Sequence, residues 1–193
     1  MKSFWWIAVR GKSATEVRRE LGFQGSGVWL GEPDCPLAGA ILSTGWYLVR
    51  AAGMRDVLRD IAVPYRLSRR CEVVTCRADA AESVSAAGEW QNGQRIWFVR
   101  HDGRRGQNDI ETFGTLPLGF ESIKTDWLGQ GEGDPDLLFE VAIDIAEAMT
   151  GYRDGGSRTT LTKRGFELLI AGGVRERGRD SVGQWFKRLL GSK

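Results

Sequence analysis

The chain has 193 residues, 41% of them apolar and 27% charged, which suits one sizeable core and excludes a largely disordered protein. Its formal net charge of +2 conceals an asymmetry: from Arg153 onward ten Lys/Arg stand against four acids, so a mildly acidic body carries a basic tail. No apolar run approaches a membrane span, and Cys35, Cys71 and Cys76 have neither the number nor the spacing of a disulfide framework or a zinc site.

Residues 3–10 read as a strand that is apolar on both faces and therefore central in its sheet. A helix follows, with Ser13 and Glu16 at capping-box spacing and Val17 and Leu21 as its inner stripe. Residues 22–27 (GFQGSG) read as a loop. Its glycines resemble a phosphate cradle, but the segment leaves a helix instead of entering one, so a helix stop and turn is the better account. Residues 46–51 are strand-like. Residues 54–61 are helical, with Met54, Val57, Leu58 and Ile61 on one side and Pro64 as the terminator.

Residues 71–77 are a strand candidate, which points Cys71 and Cys76 to opposite faces, and residues 80–87 a short helix. Asn92-Gly93 is a strong turn signal feeding a strand at 94–101. Asp102-Gly103 turns that strand, and residues 109–115 return beside it. Residues 137–141 look extended and apolar, followed by a helix at 142–150 that stops at Gly151. Helices interleaved with hairpins predict an α+β fold, its sheet mixed or largely antiparallel and flanked by helices.

Residues 153–160 are polar and glycine-rich, as a linker is. The expected division is a globular domain at 1–152 and a basic linker with a C-terminal amphipathic helix at 153–193. In that helix Val182, Trp185, Phe186, Leu189 and Leu190 recur at helical spacing, between a cap at Asp180 or Ser181 and a stop at Gly191. Lys187 and Arg188 flank its apolar face, which calls for burial against the body, a protein partner or an anionic surface.

Any histidine-dependent acid–base chemistry must run through His101, the single histidine, which Asp102 follows directly. Neighbours on a strand point apart, however, and no GxSxG elbow surrounds any serine. Glu140, Asp144 and Glu147 align along one helical face, with Asp134 and Asp136 ahead of them. Such a row is usually a solvated face and can also meet a basic partner. No motif calls for a cofactor or a metal ion.

Two stretches, EWQNGQRIWFVRHDG at 89–103 and DPDLLFEVAIDIAEAMTGYRD at 134–154, resemble a family of uncharacterised bacterial cytosolic proteins with W-x-N-G…W…HD and F-[DE]…TGYR[HD] segments. The resemblance implies no activity. It draws Trp90, Trp97, His101, Asp102, Tyr152, Arg153 and Asp154 together as members of one surface, against a competing reading in which they build turns and core.

The leading expectation is a non-enzymatic, cytoplasmic protein-binding domain, in concrete form an immunity-type protein that neutralises a toxin by steric occlusion. Its partner contacts would come from those seven residues with Trp185, Phe186 and Arg188, since buried aromatic and arginine anchors dominate such interfaces. Two alternatives stand beside it: a small hydrolase using His101 with a carboxylate, and a nucleic-acid or anionic-surface binder working through the basic tail.

Overall fold

Six consecutive buried residues, Phe4 to Val9, identify the centre of the molecule. They belong to β1 (Phe4–Arg10), the middle strand of a sheet that has nine strands among the described residues. The computed structural model describes residues 3–31, 37–52, 60–106, 108–129, 137–156 and 161–172. Outside them lie Cys35, Asp134, Asp136, all but the end of the helix expected at 54–61, and the C-terminal helix with Trp185, Phe186 and Arg188.

The other strands are β2 (Phe23–Leu30), β3 (Leu37–Ile41), β4 (Tyr47–Ala52), β5 (Glu72–Asp79), β6 (Val84–Gln91), β7 (Gln94–Asp102), β8 (Ile110–Gly114) and β9 (Phe166–Ala171). They lie in the order β2-β9-β3-β4-β1-β5-β6-β7-β8, and every pairing between them is antiparallel. Four helices accompany them among the described residues: α1 (Ala14–Leu21), α2 (Ala62–Leu67), α3 (Phe120–Gly129) and α4 (Phe139–Thr150). The fold is α+β, and no described helix is long and apolar enough to cross a membrane.

Strand alternation divides the core into two layers. Phe4, Trp6 and Ala8 pack with Trp46, Trp97 and the inner residues of α4 on one face. Trp5, Ile7 and Val9 pack with Val17 and Leu21 of α1 and Val63 and Leu67 of α2 on the other. Each fully buried large side chain contributes about 1.5–3 kcal/mol, so a strand buried on both sides is the natural anchor. Cys76 lies in the first layer and Cys71 in the second, as their odd separation requires.

Local signals hold where they are self-contained. Ser13 and Glu16 form a complete capping box on α1. Asn92 and Gly93 turn β6 into β7 with φ of 52° and 76°, the left-handed pair that a two-residue hairpin needs. Gly151 ends α4 in the left-handed region.

Five expectations give way. Residues 22–27 continue into β2, whose pairing partner β9 lies some 140 residues further on. The expected helix at 80–87 is a turn followed by β6; its alanines favour a helix locally, but pairing with β5 on one side and β7 on the other overrides that preference. Residues 137–141, a short apolar run whose period is ambiguous, are a turn at 137–138 and the first residues of α4. Pro64 lies in the first turn of α2, where its missing N–H costs nothing, and does not terminate a helix. Residues Phe166–Ala171, which the sequence reading assigns to the basic tail, form β9 between β2 and β3, so the sheet extends past the division expected after Tyr152.

Candidate functional site

The TGYRD segment leaves α4 as a tightly bonded turn. Thr150 Oγ1 donates to the Ala146 carbonyl at 2.7 Å and accepts the Tyr152 N–H at 3.2 Å. Thr44 Oγ1 donates to the Thr150 carbonyl at 2.6 Å, tying the turn to the β3–β4 connection. Tyr152 is thereby driven into the core, where its ring meets Trp6 and Phe166 edge-on at 5.6 and 6.2 Å. Its hydroxyl donates to Asp154 Oδ1 at 2.9 Å, and burial holds the phenol proton far more firmly than usual. Asp154 is also paired with Arg50 of β4 through both carboxylate oxygens.

Arg153, between these two, points the other way. Its guanidinium binds Asp144 and Glu140 and reaches Glu147 at 3.1 Å. Burial works against its charge, and the carboxylates outweigh that effect, so its proton is held more tightly than in an ordinary arginine. Trp127 of α3 donates its indole N–H to Asp144 Oδ2 at 2.6 Å. Among the described residues, the i, i+4, i+7 row on α4 is thus a set of three carboxylates arranged around the Arg153 guanidinium. All four charged side chains keep part of their surface, Glu147 the most at 31%.

His101 has no exposed surface. Its Nδ1 lies 2.7 Å from the Asp109 carbonyl, which can only accept, so Nδ1 carries the proton. Asp102 turns to the other side of the strand, as alternation requires. It accepts Nε and Nη2 of Arg104 at 2.9 Å each and Nη2 of Arg100 at 2.6 Å. Hydrogen bonding from Arg104 above all, with the charges of Arg104 and Arg100, pulls its carboxyl down to about 2.

Trp97 and Trp90 are buried in opposite layers of the core. The Trp97 indole donates to Glu89 Oε2 at 2.7 Å, and burial pushes the Glu89 carboxyl up. Trp90 stacks edge-on with Tyr65 at 6.1 Å, and its own N–H finds no hydrogen-bond partner among the described residues. The seven residues drawn together by the sequence resemblance are therefore spread through both layers. Only Arg153 among them keeps appreciable side-chain surface.

One anion cradle has no announcement in the sequence. Gly27 N–H donates to Glu167 Oε1 at 3.2 Å, while Arg18 pairs with the other carboxylate oxygen. A Cβ on Gly25 would collide with that Oε1. The glycine-rich segment does hold an anion, but the anion is the chain's own β9 carboxylate, a partner that no local signal announces. Beside it opens a cleft of about 470 Å³ lined by Thr15, Arg19, Phe23 and Gln24.

Among the described residues no cluster of His, Cys, Asp and Glu is arranged to hold a metal ion. Compared with known proteins, the chain matches no family model, no curated protein and no solved structure.

Proposed function

We propose that the chain is a protein-binding domain of the immunity type, which recognises a basic protein surface and neutralises it by steric occlusion. The observation that carries this reading is the acidic face of α4. Glu140, Asp144 and Glu147 are held by Arg153 and flanked by Trp127, on a helix whose opposite side is anchored in the core. A rigid, partly exposed set of carboxylates loses little conformational freedom when a cationic surface arrives. Its carboxylates steer the encounter and set register. A toxin whose active site binds an anionic substrate presents the complementary charge.

The test is affinity capture from the native host with the full chain as bait. The reading expects a stoichiometric, basic protein whose association weakens as salt is raised. Recovery of no stoichiometric protein, or of one held equally at low and high salt, overturns it.

A further inference from the structure

The two edges of the sheet differ in kind. β2 is interrupted by a bulge between Gly25 and Trp29 and carries two glycines, Gly25 and Gly27, between Phe23 and Val28, features that discourage pairing. β8 pairs with β7 without a register shift, and among the described residues nothing pairs with its outer side. Glu111, Thr112 and Phe113 are all exposed.

The ladder shows which backbone groups face outward. Thr115 N–H donates to the Ile96 carbonyl at 3.3 Å, which makes Ile96 and Thr115 a hydrogen-bonded pair. Alternation then assigns Phe98–Phe113 and Arg100–Glu111 to the same class. Ile110, Thr112 and Gly114 fall in the other class, so their N–H and C=O groups point away from β7, with no ladder partner among the described residues.

The side chains on this edge complement themselves. Phe113 is 50% exposed, and the Arg95 guanidinium lies over its ring at 4.2 Å from the centroid. The Arg95 Nε is buried with no hydrogen-bond partner among the described residues. A two-fold axis through Thr112 would place Thr112 opposite its copy and Glu111 of the partner subunit opposite Phe113. That carboxylate would arrive at the ring on which Arg95 is stacked. The two Phe113 rings would stand diagonally across the axis, within reach of each other.

We propose that β8 is a self-association edge: two copies of this chain pair antiparallel through it and form one continuous sheet. The acidic face of α4 is not used and does not bear on the proposal. The experiment is sedimentation equilibrium on the full chain, which should give twice the 21.4 kDa chain mass. Thr112→Pro removes the two central outward donors without touching the β7 ladder, and should yield a monomer with unchanged tryptophan circular dichroism. Glu111→Arg sets like charge against Arg95 on both sides of the axis and should raise the dissociation constant about tenfold. Adding Arg95→Glu to it should restore the dimer, an outcome that also serves if the proline variant fails to fold. A wild-type monomer, or a dimer indifferent to both Thr112→Pro and Glu111→Arg, overturns the proposal.

Discussion

Arg50 and Asp154 stand 104 residues apart and meet as a two-point ion pair under the Tyr152 hydroxyl. Both side chains are about nine-tenths buried. The pair joins a central strand to the turn that leaves α4, so it fixes where the acidic face of that helix sits relative to the sheet.

Removing one member takes from the other its two-point partner in the interior. Asp154→Ala is expected to cost about 3 kcal/mol or more of unfolding free energy, within the range for half-broken buried pairs. Replacing both residues by apolar side chains should cost less than the sum of the single losses. Urea denaturation of the four members of this cycle checks it, and additive losses would mean that the two residues do not act as a pair.

Glycine at position 25 is explained by the carboxylate it faces. Gly25→Ala pushes against the Glu167 side chain, which must leave Arg18 and the Gly27 N–H. A loss of about 1–3 kcal/mol is expected, the usual scale for a disrupted charged hydrogen bond. The same substitution made in a Glu167→Ala background should cost distinctly less. Thermal denaturation of the four proteins gives the comparison.

Glu89 and Asp102 should shape stability against pH in opposite directions. Burial raises the Glu89 carboxyl, so the folded chain binds its proton more readily than the unfolded one. Its contribution therefore falls as pH rises from the ordinary glutamate range through the raised value, then levels off. Glu89→Gln keeps an acceptor for the Trp97 N–H and removes the buried charge. It should be more stable than the wild type near pH 7 and converge with it near about pH 4. Asp102 is lowered to about 2, so its stabilisation is full above the ordinary aspartate range and is lost as pH falls toward that value. Urea midpoints followed across pH for Glu89→Gln and Asp102→Asn should show these opposite trends.

What could be read from the sequence was what is decided within a few residues. β1 announced itself by continuous apolarity, α1 by its capping box, the β6–β7 hairpin by Asn92-Gly93 and the end of α4 by Gly151. β2, β6 and β9 were hidden because their conformations are decided by pairing partners: β9 lies far along the chain from both β2 and β3, and the alanines of β6 favour another structure alone. The same holds at the site. The alignment of Glu140, Asp144 and Glu147 follows from helical spacing, whereas their cation, Arg153, lies beyond the helix stop and turns back onto it. Arg50 could not be assigned to Asp154 from spacing at all. Trp90, Trp97 and His101 are surface candidates as sequence, and all three are buried in the fold.

The acidic face of α4 is tested most directly by reversing its most exposed charge. Glu147→Lys leaves Arg153 its contacts with Glu140 and Asp144, so the fold should survive, which a melting curve establishes first. Wild-type and Glu147→Lys chains are then used side by side to capture protein from the native host. The account expects the basic partner to be held by the wild type and reduced at least about tenfold on the variant, as for a charge reversed at an interface. Equal recovery on both would contradict it.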